Sequence, residues 1–412
     1  MLWAISLACF ASAARAVDVS FNGFATLAAT YEDHDELKFR STLIHEVRDG
    51  FTLAADSIVG GQVNVDFNEH WDAVGQLVIQ DRADSTLENF IDKAFLRYKF
   101  DRNWALRVGR MDSNFFMLSD YRSVGYAYLW ARPPVDFYSA SSIAASVDGI
   151  DLQYAIDIWQ GYLKTALFLG ESEARLDGES GRLRVDFEQA IALSIEFQKG
   201  SWQFKATHAI GETNDFEYAG FDSFVALIEQ VPVALWPEIP SIIDSFEPNG
   251  ERASFSALGM KFDNFTWQVQ GEVAHYNSDW VLFPSATFGY LSLGYYIDNW
   301  IPYVMYAGYE PKDPATRVVA PTLPAGLPPE VTSGIVTLAA VADISITDSY
   351  SDQNTISAGV RWDFADEWAL KFQLDHIRLE SPGTGLMGND DPALKATPHR
   401  MNVIHLGVST VF

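Results

Sequence analysis

The feature that most constrains this chain is a period-two alternation of apolar and polar residues, which recurs along its 412 residues. The last twelve residues illustrate it: Leu406 and Val408 fall on one face of an extended strand, whereas His405 and Ser409 fall on the other, and the sequence ends in Phe412. Such alternation predicts a strand with one apolar and one polar face, and a run of this kind that ends in Phe is typical of the closing strand of a transmembrane β-barrel.

Sixteen such strands are predicted, and short polar turns alternate strictly with long loops between them. The predicted strands are 17–30, 56–67, 71–82, 92–100, 104–111, 143–158, 161–170, 183–197, 202–211, 252–262, 266–277, 286–297, 300–309, 354–364, 368–379 and 399–412. The predicted long loops are 31–55, 83–91, 112–142, 171–182, 212–251, 278–285, 310–353 and 380–398. An even number of strands with both termini at the short-turn end matches periplasmic turns and extracellular loops.

The predicted fold class is therefore all-β: a sixteen-stranded antiparallel transmembrane β-barrel with short periplasmic turns, long outer loops and an inward-folded third loop. A soluble sandwich would turn its polar face to water outside, whereas a pore places that face inside and its apolar face on lipid. Sixteen strands leave a lumen wide enough for water. Aromatic residues beside the short turns predict an interfacial girdle: Phe67, Trp71, Phe100, Trp104, Phe262, Trp267, Trp300, Phe364 and Trp368. No run of about 18 apolar residues, as a membrane helix needs, is found.

Residues 1–16 are predicted to be a signal peptide, which leaves 17–412 as the barrel domain. The segment is apolar and ends in Ala14-Arg15-Ala16, a small-x-small cleavage pattern. Its Cys9 is the one cysteine of the sequence. The mature chain then has no cysteine, which excludes a disulfide framework and a thiol nucleophile.

The formal net charge of -27 argues against nucleic acid as a partner, because a phosphate-binding protein needs a positive surface. In an outer-membrane barrel, excess acid lies in the loops and the lumen. There it can bind divalent cations and, through them, lipopolysaccharide. No cofactor is predicted apart from such loop-bound calcium, and the eight histidines show no metal-ligand spacing. Net acidity favours cations as the permeant ions, although the basic residues on the third to fifth strands can reverse this locally.

The third long loop, 112–142, is the candidate functional segment because it is rich in Phe, Tyr and Trp. An exposed loop has little reason to carry so many aromatic residues, whereas a loop packed inside the barrel has. Two further loop segments, 221–246 and 318–346, are apolar but interrupted by prolines. They are predicted to fold over the mouth, to contact a neighbouring subunit or to form self-packed surface loops. Asp222 is predicted to cap a short helix in the first of them.

The chain resembles the sixteen-stranded porins of Gram-negative outer membranes. It is more closely similar to a porin-like family of Proteobacteria in which a strand ending in Gly-Arg, here Gly109-Arg110, precedes a stretch such as FFMLSDYRSVGYAYLWARPP, here 115–134. The resemblance implies a homotrimer in outer-membrane lipid, in which acidic residues of the inward loop face basic residues of the wall and create a transverse field. The sequence departs from the best-known general porins, which have a Pro-Glu-Phe-Gly-Gly-like loop core.

The candidate constriction residues follow from this picture and from strand parity. Those of the loop are Asp112, Asp120, Arg122, Arg132 and Asp136. Those of the wall, on the polar face of the fourth and fifth strands, are Lys93, Arg97, Lys99 and Arg107.

The predicted function is an outer-membrane porin that lets ions and small hydrophilic solutes diffuse passively through a water-filled channel. One alternative is a substrate-specific channel in which loop aromatics form a sliding track. Another is a plugged barrel that acts as a surface binding protein. An enzyme is not predicted, because the sequence has no Gly-x-Ser-x-Gly elbow, no His-Glu-x-x-His and no phosphate-binding glycine loop.

Overall fold

The computed structural model describes residues 17–412 except 47, 49, 83–84, 142–145, 179–180, 219–220, 249, 349, 384, 390–393 and 395. The predicted signal peptide, 1–16, lies outside the described residues. The barrel strands are β1 Asp18–Glu32, β2 Ile58–Asp66, β3 Trp71–Gln80, β4 Ile91–Lys99, β5 Trp104–Asp112, β6 Ser146–Ile158, β7 Gly161–Gly178, β8 Gly181–Lys199, β9 Trp202–Tyr218, β10 Glu251–Asp263, β11 Trp267–Ser278, β12 Ala286–Tyr295, β13 Trp300–Pro311, β14 Gln353–Ala365, β15 Trp368–Leu379 and β16 His399–Val411. The helices, all in loops, are α1 Leu87–Phe90, α2 Val135–Ser141, α3 Phe221–Ile228, α4 Ile239–Phe246 and α5 Pro329–Asp348.

The sixteen strands form one closed antiparallel barrel, which confirms the predicted fold class. Closure takes place at β1, whose first half pairs with β2 and whose second half pairs with β16. At this seam Gly23 and Phe412 exchange two backbone hydrogen bonds, of 2.6 and 2.9 Å. A Cβ atom at Gly23 would lie 2.2 Å from the Phe412 ring, so a larger residue there would require the exposed terminal ring to shift.

The two faces of the barrel wall differ as the alternation predicts. On β15, Phe372 and Leu374 are exposed on the outer face, whereas Lys371, Gln373 and Asp375 point inward and are buried. The same holds on β16, where Leu406 is exposed and His405 is buried. Because successive side chains of a strand point to opposite sides, a closed sheet of these sequences has an apolar outside and a polar inside.

Aromatic side chains surround the short-turn end of the barrel on its outside. Trp71, Trp104, Trp267, Trp300 and Trp368 are each 40–43% exposed, which fits the predicted interfacial girdle. Indole rings are amphipathic, so this ring of side chains suits the boundary between hydrocarbon and headgroups.

One predicted loop is wrong. Of the predicted loop 171–182, residues 171–178 and 181–182 belong to strands, because β7 and β8 continue as a pair to Gly178↔Gly181. Likewise β9 extends to Tyr218, into the predicted loop 212–251. These strand ends carry charged residues in place of alternating apolar ones. They form because each strand pairs its backbone groups with its neighbour, which needs no apolar face.

The loops between β9 and β14 pack together into a cap at the outer end. Trp236, Trp280, Ile335 and Ala342 are buried in its core, together with Val185 of β8. Helix α3 contains Asp222 in its first turn, so the predicted short helix is present but begins before that residue.

Helix α5 was not expected from the sequence. Pro329–Thr347 is long and apolar enough to cross a membrane by length and composition, with a mean hydropathy of 1.3. Its apolar residues are interrupted by serine, threonine and glycine, so no continuous apolar run marks it. Ile335, Ala339 and Ile346 face the core of the cap, which stabilises the helix by burying one side.

An arginine introduced on the lipid-facing side of the wall should lower the stability of the barrel much more than one introduced on the lumen-facing side. We expect Leu406→Arg to lower the free energy of unfolding by about 2–4 kcal/mol, because the guanidinium would lie in the middle of the hydrocarbon. The matched change Asn64→Arg, on the inward face of β2, should alter it by less than about 0.5 kcal/mol. Equilibrium unfolding by denaturant from lipid vesicles measures both, and equal effects would contradict the assignment of faces.

Candidate functional site

The third loop connects β5 and β6, and its described residues, 113–141, lie inside the barrel. Phe116, Leu118, Trp130 and Phe137 are no more than 2% exposed. They pack on inward-facing residues of the wall: Ala192, Ala209, Ala257, Ala274, Ala286, Phe288, Tyr290, Ile301, Tyr303, Met305 and Ala307. Small alanines on β8–β12 make room for the large aromatic side chains of the loop. The aromatic composition of this loop is therefore explained by burial against the wall.

Wall cations hold the irregular backbone of the loop. The ammonium of Lys371 donates to the carbonyl oxygens of Gly125, Tyr128 and Trp130. The guanidinium of Arg361 donates to the carbonyl of Tyr128 as well, at 2.9 Å. A loop inside a barrel has no sheet partner for its carbonyls, so side chains from β14 and β15 must satisfy them.

Two of the predicted constriction residues are buried in such anchoring contacts. Arg132 is paired with Asp375 of β15, and its guanidinium lies 4.0 Å from the centre of the Phe39 ring. Asp136 is fully buried and accepts a hydrogen bond of 3.1 Å from Gln353. Their assignment to a water-filled constriction is corrected accordingly: loop packing closes these side chains off from the lumen, and they attach the loop to the wall.

The wall of β3–β6 carries a row of four charged residues at the same level. Asp72, Arg97, Arg107 and Asp151 are successive cross-strand neighbours. Arg97 Nε is 2.9 Å from Asp72 Oδ1, and Arg107 Nε is 2.7 Å from Asp151 Oδ2. The two arginines lie side by side in the middle, each held by an aspartate on its other side. Alternation placed all four on the inward face, and the register brings them together.

The remaining predicted residues lie above and below this row. Lys99 Nζ is 2.8 Å from Asp72 Oδ2, towards the short-turn end. Lys93 forms an ion pair with Asp112 and donates to the backbone carbonyl of Asp120 at 2.9 Å. Lys93 is thus the place where the third loop and the basic wall meet. The guanidinium of Arg122 has no ion pair or hydrogen bond to the described residues.

The water-facing part of this wall is cationic although its charges are paired. The side chains of Arg97 and Lys99 are 34% and 36% exposed, whereas that of Asp72 is 3% exposed. The aspartate lies behind the two cations and orients them. A solute in the lumen therefore meets amino and guanidinium groups first.

The wall residues that hold the third loop were not among the residues predicted from the sequence. Lys371, Arg361 and Glu272 point inward by strand parity, and Glu272 accepts from the backbone N–H of Met117 at 2.8 Å. The sequence shows only that these residues alternate onto the inner face of their strands. It does not show which inward-facing residues contact the third loop. Of the charged residues brought together on β3–β6, only Arg97 and Arg107 lie on strands joined by a short turn, whereas Asp72 and Asp151 are paired with them across long loops.

The described residues contain no group of three or more His, Cys, Asp or Glu side chains that could hold a metal ion. Calcium bound by the acidic loops stays a prediction.

No protein-family model matches the sequence, and no curated protein matches it. Solved structures do. The outer membrane channel DcaP of Acinetobacter baumannii is 14% identical over 98% of this chain and 100% of its own, with a TM-score of 0.51. The anion-selective porin from Comamonas acidovorans is 12% identical over 96% and 100%, with a TM-score of 0.51. OmpF of Salmonella typhi, in complex with daunomycin, is 12% identical over 96% and 97%, with a TM-score of 0.50.

The chain has the porin fold. Its likeness to these structures extends over almost the whole of each chain, and it is a likeness of fold. The closed barrel and its neighbours point to the Gram-negative outer membrane, as the alternation and the turn pattern predicted.

Removal of the Lys371 ammonium should release the third loop. In Lys371→Met, three buried carbonyls of the loop lose a charged donor, which we expect to cost about 3 kcal/mol or more. Limited trypsin digestion of the folded barrel should then cut after Arg122, a bond that the packed loop protects. Lys199→Met, the same change at an exposed position at the end of β8, is the control. Equal resistance of Lys371→Met and the unchanged protein would contradict the anchoring role.

Proposed function

We propose that this protein is an outer-membrane porin through which ions and small hydrophilic solutes diffuse passively. The observation that carries the proposal is a closed sixteen-strand barrel with charged, half-exposed side chains on its inner wall. An apolar interior would exclude hydrophilic solutes, whereas the cationic groups of Arg97 and Lys99 stay in contact with water. The third loop packs against β8–β15, whereas Arg97 and Lys99 of β4 remain accessible to water.

We further propose that anions permeate better than cations. The net charge of -27 favours cations on the outer surface, but selectivity is decided where the path is narrowest. On the inner wall, Arg97 and Lys99 face the water, and the carboxylate of Asp72 lies behind them. The local cations therefore outweigh the distant acid of the loops, which salt screens over about 8–10 Å.

Burial argues against a sliding track made by the aromatic residues of the third loop. Phe115, Phe116, Trp130 and Phe137 are 0–7% exposed, so the faces of these four rings are not open to a passing solute. Selection by charge, at the wall, is the mechanism that the side-chain positions favour.

A plugged barrel is the second candidate, and the loop packing at the outer mouth favours it. Helices α3, α4 and α5 form the cap described above. On the other side, Leu37 and Phe39 of the first loop are buried with Leu386 and Met387 of the last loop. If these two clusters meet over the mouth, the barrel holds solutes or partners at its surface and does not conduct.

Single-channel current in a planar bilayer under a salt gradient tests both candidates. We expect discrete current steps with a reversal potential that favours the anion. Arg97→Gln should shift this potential towards the cation, because it removes one of the two half-exposed cations and leaves Asp72 with one partner. Arg102→Gln, an equal charge change in an exposed short turn, is the matched control.

Silence from folded, heat-modifiable protein would contradict the porin and support the plugged barrel. Current with a cation-favouring reversal potential would leave the porin intact and overturn the anion preference.

We also propose a homotrimer, on the resemblance to porins. An SDS gel of unheated protein should then show a species of about three times the monomer mass that heat converts to monomer. Migration as a monomer alone would count against it.

A further inference from the structure

Two arginines face each other on the outside of the barrel. Arg378 of β15 and Arg400 of β16 are direct cross-strand partners, and both side chains are exposed. Even-numbered residues of these strands point outward. On β15 the outward-facing residues are, in order towards the loop end, Phe372, Leu374, His376 and Arg378. The outer face therefore changes from apolar to polar and then to cationic in that direction.

The height of this pair follows from the girdle at the other end. Trp368 marks the short-turn boundary on the same strand, ten residues before Arg378. Ten residues at about 3.3 Å each, on strands tilted by about 40°, rise about 25 Å. The apolar band of an outer-membrane barrel is about 25 Å tall. The arginines therefore lie at the level of the outer-leaflet headgroups.

Other arginines near the loop end are paired with carboxylates of the protein. Arg110 Nη2 is 2.7 Å from Asp148, Arg184 Nη2 is 2.9 Å from Asp186, and Arg252 Nε is 3.5 Å from Glu212. The side chains of Arg378 and Arg400 differ, since neither makes an ion pair or hydrogen bond to any residue that the structure describes. The nearby Asp33 is engaged by Asn402, at 2.6 and 2.7 Å.

A groove of about 500 Å³ opens between the two arginines. Glu380, His399, Leu379 and Pro398 complete its lining. Glu380 is the one acid of the lining, and no ion pair joins it to either arginine. Like charges opposite each other on adjacent strands destabilise a sheet unless an anion lies between them. The pair has donors for a bidentate anion and excess positive charge to bind it.

We propose that Arg378 and Arg400 bind a phosphate group of lipopolysaccharide in the outer leaflet. The headgroup height selects a lipid phosphate over a soluble anion, and the apolar residues below the pair supply a surface for its acyl chains. This contact is direct, in contrast to the cation-bridged contact that the acidic loops predict. It is also independent of conduction, because both arginines are on the outside of the barrel.

Native mass spectrometry of the purified full-length barrel with diphosphoryl lipid A tests this site. A chelator is present throughout, which removes any cation-bridged binding. We expect Arg378→Gln/Arg400→Gln to weaken lipid A binding by about tenfold or more, since two charge-assisted contacts are lost. Arg378→Lys/Arg400→Lys should recover part of the affinity. Dephosphorylated lipid should bind the unchanged barrel as weakly as lipid A binds the glutamine variant.

The matched control is Arg110→Gln, because the Arg110 guanidinium is already held by Asp148. Heat-modifiable migration on SDS gels confirms that each variant is folded. Binding by the double glutamine variant within about twofold of the unchanged barrel would overturn the proposal, as would an equal loss in Arg110→Gln, which indicates diffuse charge attraction. Displacement of lipid A by an equal concentration of inorganic phosphate would also overturn it, because the site would then take the free ion.

Discussion

The structure depends on one constraint: in hydrocarbon, every backbone donor and acceptor must be paired within the protein. Closure of β1 onto both β2 and β16 satisfies it for the wall, and Gly23 permits the last pairs beside Phe412. The same constraint continues inside the barrel. The third loop has no sheet partner, so the side chains of Lys371 and Arg361 take the place of one. The position of the loop, and therefore of the path beside it, follows from those contacts.

Charge is distributed unevenly between the inside and the outside of this barrel. The chain has 55 acidic and 28 basic residues. Nevertheless, Arg97, Lys99 and Arg107 come together on the inner wall, where Asp72 and Asp151 orient them. The carboxylates are buried behind the cations. The groups nearest the lumen are therefore positive although the chain as a whole is negative. The net charge of -27 therefore does not give the sign of the charges nearest the lumen, which at Arg97 and Lys99 is positive.

Strand number and strand faces were predictable because both depend on local sequence. A period of two assigns each residue to one face, and the short turn between β4 and β5 leaves little freedom of register, so the inward-facing neighbours Arg97 and Arg107 could be anticipated. The long β7–β8 hairpin and α5 could not. Beyond the membrane a strand needs no apolar face, and a helix interrupted by serine and threonine needs a cap to pack on. Arg132 and Asp136 belonged to the right loop but were assigned to the wrong surroundings.

By itself, the sequence determined a sixteen-strand barrel with an apolar outside and a polar inside. It also determined that the third loop, which is rich in aromatic residues, is not exposed to water. These properties arise from alternation and composition, which act within a few residues of the chain. Only the tertiary structure decided which wall the third loop packs against, which charges are buried and which remain in water. It also brought Arg378 and Arg400 to the same height on adjacent strands. Those outcomes depend on register across the closed sheet, where residues far apart in sequence become neighbours.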